Sequence, residues 1–504
     1  MSAPRLNRSL WLEHADTAYP RLNHDLEVDV AILGAGITGV TAAHLLKQAG
    51  KTVALLEMNR VGYGATGYTT AKLTVGHNLV YADLLTSYDV ETAARYARSN
   101  QEAIELVARI VREQAVECDF ERAPNFVYAE SRESVRSIER EVEAAQAAGI
   151  VAELTTETDL PYPVAAAVKV DGQAQFHPWK YLAALAGTVE GAGSHVFEST
   201  RATDVRAGAP CIVETAGGRV RAGHVIVATQ LPFLDRGLFF ARAHPTKSYA
   251  VAAAIEENAA PRGMYISVDE PTRSVRSTGG GDGSRFLIVG GEGHKPGDEP
   301  DTRRRYERLE AFLADRFGAT AEYRWSTHDY SPVDKLPFIG RLRRGEERVL
   351  VATGFAKWGM TKGTLAAAIL TDAILGRPNE YADMYDATRL NPKRSAARFG
   401  KENGKVAALF FRDRVRPRPG EEDVERLAPG EGLVARIGGK HYAVSRREDG
   451  ELVTLSARCT HLGCIVGWSA ADRAWECPCH GSRFAADGKL VQGPATDDLP
   501  HRRW

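Results

Sequence analysis

The apolar positions along the chain change period from one region to the next. Residues 28–57 read VDVAILGAGITGVTAAHLLKQAGKTVALLE. Val28–Leu33 is a short continuous apolar run, which predicts a buried strand. Ile37–Ala49 is rich in Ala and Leu with apolar residues on one face, which predicts a helix stopped by Gly50. Thr52–Leu56 is a second apolar run ending in Glu57. Further on, Glu91–Gln114 and Ser131–Gly149 carry helical patterns with charged, solvated faces. Arg219–Thr229 (RVRAGHVIVAT), His244–Ile255 (HPTKSYAVAAAI) and Arg285–Gly291 (RFLIVGG) read as strands, and Val349–Leu375 reads as strand, turn and helix. Beyond residue 420 the runs become short and alternating (LVARI, HYAVS, ELVTLS), with Gly and Asp turns between them. That pattern predicts a small antiparallel β unit.

The first turn carries chemistry. Gly34-x-Gly36-x-x-Gly39 follows a strand, opens a helix and precedes a second strand with a terminal acid, which is the full context of a dinucleotide site. Gly34 permits the tight turn, Gly36 lets backbone approach a pyrophosphate, and Gly39 lets helix pack on strand. The helix N-terminus favours the phosphates, and Glu57 can accept hydrogen bonds from ribose hydroxyls. After Glu57, residues 60–72 (RVGYGATGYTTAK) are small and rich in glycine and hydroxyls, suited to a large flat ligand.

On these residues the chain resembles the glycine/D-amino-acid oxidase-like family of FAD enzymes. Gly64-Ala65-Thr66-Gly67 stands where that family has a GASG-like segment. Asp334–Gly340 resembles its DxxPxIG segment, and Val349–Leu375 its closing strand-turn-helix. The resemblance covers about residues 27–378 and implies FAD as cofactor. It also implies that Gly354 and Gly359 admit backbone to the flavin, with a helix start near Thr361 facing the isoalloxazine. The family's GHxGxG-like turn is replaced by Gly354–Thr361 (GFAKWGMT), where Lys357, Trp358 and Met360 become candidate flavin contacts. An antiparallel sheet covers the flavin in this family, and Tyr249, Arg276 and His328 are candidate substrate contacts on it. Arg276 could pair bidentately with a carboxylate. His77 invites a covalent-flavin reading; a polar surface or satisfied histidine is the plainer one.

Composition sharpens the other end. Lys+Arg (64) nearly cancel Asp+Glu (65), so no global attraction to nucleic acid arises. Of six cysteines, Cys118 and Cys211 stand alone, while Cys459, Cys464, Cys477 and Cys479 fall within 21 residues. Two loops each offer a thiolate and an imidazole: Cys459 with His461, and Cys477 with His480. This is the pattern of a Rieske [2Fe–2S] centre, two Cys on one iron and two His on the other. Zinc also takes Cys/His pairs. CTHLGC with CPCHGS resembles the Rieske subunit of cytochrome bc-type complexes. That resemblance implies a Cys464–Cys479 disulfide between the loops, a Ser482 bond to a bridging sulfide, and a Pro loop at Gly493–Ala495. Where the family commonly has Tyr this chain has Phe484, which implies a lower potential than in the bc-type proteins.

Between these regions, residues 393–420 carry nine Lys/Arg against two acids, an expected strap with helix around Glu402–Phe411. No apolar run nears the roughly 18 residues of a membrane span, and the N-terminus lacks an apolar signal core, so a cytoplasmic protein is expected. The expected fold is an α/β Rossmann-like FAD-binding domain (27–90, 170–240, 335–378) interleaved with an α+β substrate domain (91–169, 241–334). An extension (1–26), a basic linker (379–420) and an all-β Rieske domain (421–504) complete it. The expected function is oxidation of a small amine or amino acid by hydride transfer to FAD, with single electrons leaving through the cluster to an external acceptor such as a redox protein. The alternatives are an oxygen-dependent oxidase with a structural cluster, reversed flow from a donor, and a non-catalytic redox sensor.

Overall fold

A computed structural model describes residues 8–280, 284–299 and 301–504. Residues 1–7 of the expected extension, and 281–283 and 300 of the expected substrate segments, lie outside it. The chain opens as the apolar runs predict. β1 (Leu26–Leu33), α1 (Ile37–Gln48) and β2 (Val53–Leu56) form a parallel unit in which Leu33 sits opposite Leu56. All four residues of β2 are buried, which is why its sequence is a continuous apolar run instead of an alternating one. α2 (Val90–Glu113) follows, capped by the Asp89 carboxylate on Thr92 N–H. β3 (Arg219–Val227) returns parallel to β1, with Val227 opposite Leu33.

The chain then builds the second sheet. β4 (Ala243–Glu256) pairs antiparallel with β5 (Ser284–His294) on one side and β6 (Tyr323–Pro332) on the other. Lys247 lies opposite His328 and Tyr249 opposite Ser326. Directly paired residues share a sheet face, so these four side chains point the same way. Strand Ala166–Gln175 also belongs to this sheet and pairs through Gln175 opposite Glu121. The divide expected at residue 170 therefore falls inside one strand. β7 (Val349–Thr353) and α3 (Gly359–Leu375) rejoin the first sheet, Val351 opposite Val227. Among the described residues the first sheet has eight strands and the second nine.

The basic strap is one 24-residue helix, α4 (Pro392–Val415), far longer than the run expected around Glu402–Phe411. Pro392 starts it, where a missing N–H costs nothing. Val406 and Phe410 pack against the core of the last module. That module has a three-stranded antiparallel sheet (Gly432–Ile437, Lys440–Arg446, Leu452–Ser456) and a four-stranded one, β8 (Gly467–Ser469), β9 (Ala474–Glu476), β10 (Arg483–Ala485) and β11 (Leu490–Gln492).

It is locked to the second sheet by buried charge. The Lys247 ammonium, fully buried, donates to Asp472, to Glu476 (2.7 Å) and to Ser469 (3.0 Å). Ser326 donates to Asp472 at 2.9 Å, and Arg483 lies 3.4 Å from Glu476. Buried charges survive only when paired and hydrogen-bonded, and here the partners come from opposite sides of the contact.

Candidate functional site

Steric necessity shapes the first turn. Gly34 has φ +101°, and a Cβ there would lie 2.7 Å from the Ala228 carbonyl oxygen. A Cβ at Gly39 would lie 1.8 Å from the Gly34 oxygen, so only glycine lets α1 sit on β1. The Glu57 carboxylate accepts from Ala35 N–H (2.9 Å) and Asn59 N–H (2.8 Å), and burial pushes its pKa up. Thr66 Oγ1 accepts from Ile37 N–H at 3.0 Å, pinning the second glycine segment to the start of α1.

These parts open onto a cavity of about 500 Å³. Gly34, Gly36, Glu57, Ala65 and Thr66 line one end; Tyr249, His328, Lys357, Trp358, Gly359 and Met360 line the other. A third wall comes from the last module, whose Leu490–Gly493, Ala495 and Thr496 close the glycine end. A cradle that a Cβ would fill, at a helix N-terminus beside a buried acid, fits a dinucleotide such as FAD.

Several expected contacts stand elsewhere. Gly39, Gly67, Gly354 and Thr361 are not on the cavity wall. Gly67 is forced by the Gly62 oxygen, 2.3 Å from its would-be Cβ. Gly354 (φ +78°) turns the chain against Pro332. The Thr361 hydroxyl clamps residue 74, donating to its oxygen (3.2 Å) and accepting from its N–H (3.1 Å). Arg276 is buried and donates to the carbonyls of Thr70, Ala71 and Ser277. It braces the glycine segment and is not among the residues that line the cavity. His77 lies behind Trp358, rings 4.6 Å apart, with Nδ1 2.5 Å from the Tyr96 hydroxyl; Trp358, not His77, meets the cavity. Lys72, Arg201, Arg305 and Lys357 all line the cavity. Lys72 donates to the Tyr265 oxygen and to Ser274, Arg201 pairs with Asp498, and Arg305 pairs with Glu292 and Glu299, whereas Lys357 has no side-chain ion pair among the described residues. Its side chain is open to the cavity yet ringed by protein, and that burial lowers its pKa.

The second centre is built from two loops. Cys464 and Cys479 are disulfide-bonded across them, Cα atoms 6.5 Å apart. Cys459 and Cys477 are buried free thiols whose proximity lowers the pKa of Cys459 and raises that of Cys477. The Ser482 hydroxyl accepts from Ala495 N–H at 3.1 Å, and its proximity helps to lower the Cys459 pKa. His461 and His480 stand edge to face, 5.0 Å apart, and the Nδ1 atoms of both are buried with no partner among the described residues. Two orphaned imidazole nitrogens beside two free thiols fit the two-Cys, two-His ligand set of a Rieske cluster. Phe484 is fully buried in the surrounding core.

The two centres touch. His328, on the cavity wall, has Nδ1 3.0 Å from the Gly481 oxygen in the cluster loop. The Tyr330 hydroxyl donates to the His480 oxygen at 2.9 Å. Gln492 reaches Gln230 at 2.5 Å, and Gln230 in turn donates to the His328 oxygen. The wall supplied by residues 490–496, the Lys247 network and these cross-contacts were invisible in the sequence. They join residues up to 262 apart, and no local pattern marks such pairs.

The sequence profile of the FAD dependent oxidoreductase family matches residues 29–373, and that of the Rieske [2Fe-2S] domain matches residues 421–502. YhfW of Bacillus subtilis (strain 168), whose name carries the Rieske 2Fe-2S designation, is 34% identical over 96% of this chain and 94% of its own. The gamma-glutamylputrescine oxidoreductase of Escherichia coli (strain K12) is 23% identical over 73% of this chain and 88% of its own. The glycine oxidase of Geobacillus kaustophilus superposes with a TM-score of 0.63 at 18% identity, over 73% of this chain and all of that one.

Proposed function

Because the chain belongs to the FAD dependent oxidoreductase family and ends in a Rieske [2Fe-2S] domain, we propose that it oxidises a small amine or amino acid at a C–N bond and passes the electrons singly to an external acceptor. When bound, FAD takes two electrons as a hydride and the cluster carries one at a time, so together they convert two-electron into one-electron exchange. The observation that carries this reading is the direct bond from cavity-lining His328 to Gly481 in the cluster loop. A structural cluster would need no such contact with the substrate cavity.

The chain's own residues suit the substrate class. The glycine end binds the dinucleotide, so the substrate falls at the end walled by Tyr249, His328, Lys357 and Trp358. Tyr249 is held there by its hydroxyl, 3.0 Å from His294 Nε2. Fixed walls of this kind orient a C–H bond without a protein nucleophile. Lys357, the lining cation with no ion pair or side-chain hydrogen bond among the described residues, is the one a substrate carboxylate would meet, in the role first expected of Arg276. The relatives include an oxidoreductase of gamma-glutamylputrescine and an oxidase of glycine, which supports substrates with C–N bonds.

The test is an anaerobic screen of amines and amino acids, following flavin bleaching and then cluster reduction by stopped flow. Bleaching by a C–N substrate with cluster reduction after it supports the reading. Bleaching by none of them, or a cluster that stays oxidised beside reduced flavin, overturns it. In Lys357→Met, KM for a carboxylated substrate should rise roughly tenfold, as expected when about 1.4 kcal/mol of binding is lost.

A further inference from the structure

The imidazole edge of the cluster loops does not face solvent. It is covered by the segment that follows β3 in the flavoenzyme part. Phe240 meets both rings edge-on, 5.8 Å from His461 and 5.3 Å from His480. Beside it, Asp235 Oδ1 lies 2.8 Å from His461 Nε2, and the His461 side chain is only 4% exposed. Asp235 starts a short 3-10 turn, Asp235–Gly237, and its own backbone carbonyl accepts from Leu238 N–H, which fixes the backbone that carries the carboxylate. The neighbouring Arg236 is turned to Glu346 at 2.8 Å. Among the described residues, His461 is the only ion-pairing partner recorded for Asp235.

Ring chemistry fixes the direction of this bond. The unpartnered Nδ1 of His461 is the atom left for iron. Ligation through Nδ1 leaves the ring hydrogen on Nε2, so His461 donates and Asp235 accepts. A carboxylate on the far nitrogen of a metal-bound histidine raises the basicity of the ligand. Its negative charge also opposes the electron that reduction adds.

We propose that Asp235 is a positioning residue supplied by the flavoenzyme part. It anchors the iron-ligand histidine of the other module through His461 Nε2 and holds the reduction potential of the cluster down. The inference needs the cluster but not any particular direction of electron flow, so it stands or falls apart from the substrate reading.

The experiment is a redox titration of the cluster by circular dichroism and EPR in holoprotein, wild type against Asp235→Asn and Asp235→Ala. Iron content and flavin potential are measured alongside. Asp235→Asn keeps an acceptor oxygen and loses the charge. Its reduction equilibrium should shift toward the reduced cluster by at least tenfold, about 59 mV for a one-electron couple. Asp235→Ala should shift at least as far and alter the EPR signature, because the bond itself is gone. The flavin potential should not move in either. A merely structural contact would lower iron content or melting temperature and leave the potential alone. Wild-type potentials in both variants, at full iron content, overturn the proposal. If Asp235→Ala loses its cluster, the Asn variant decides.

Discussion

The two centres are assembled in opposite ways. The proposed cluster ligands lie within 22 residues, Cys459 to His480, on two loops joined by a disulfide. The cavity draws its walls from Gly34 at one extreme of the chain to Thr496 at the other. A local centre can be read, moved and fused as a unit. A distributed one exists only when the whole fold closes around it. Here the module that carries the local centre also supplies a wall of the distributed one, through residues 490–493, 495 and 496, so the fusion is more than a tether.

Breaking the local centre should have the largest effect. Cys459→Ser removes a thiolate ligand, and we expect complete loss of the Rieske EPR signal and of acceptor reduction, with substrate still able to bleach the flavin. If bleaching disappears as well, with FAD retained, the two centres are less separable than the comparison holds. The contact between the centres comes next. Lys247→Ala leaves Asp472 and Glu476 facing one another without their ammonium, and removing one partner of a buried ion pair costs about 3–5 kcal/mol. Arg483, 3.4 Å from Glu476, blunts the loss, so about 3 kcal/mol is expected in urea unfolding. Weakened FAD retention should accompany it, because residues 490–496 would no longer be pressed onto the cavity. The smallest effect sharpens the local centre alone. Phe484→Tyr adds a hydroxyl in a fully buried position, and a modest rise in cluster potential with unchanged FAD affinity is expected. An unchanged or lower potential would show that the missing hydroxyl does not set it.

What the sequence made legible follows the same division. β1, α1, β2 and β3 could be read because apolar periodicity and the spacing of Gly34, Gly36 and Gly39 are local. The two Cys–His pairs proposed as ligands, and the Cys464–Cys479 disulfide implied by resemblance and present in the structure, stand out for the same reason. Arg276 misled: it is the residue type a carboxylate attracts, yet its guanidinium is spent on the carbonyls of Thr70, Ala71 and Ser277. Lys357 was singled out as a flavin contact, but only the fold shows its ammonium inside the cavity. Gly354 and Thr361 were placed on the flavin by motif, whereas one answers to Pro332 and the other to residue 74. Glycine and threonine motifs report that backbone is crowded; they do not report what crowds it. Asp235 and Lys247 left no trace in the sequence, because each matters only for a partner more than 220 residues away.

The closed imidazole edge has a kinetic consequence. His461 and His480 are turned against Phe240 and Asp235, and Lys247 fixes the modules from the other side, so among the described residues the cluster loops are packed onto the flavoenzyme part. On the proposed electron route, exchange between the two halves would be unimolecular, its rate set by the protein and not by how dilute the solution is.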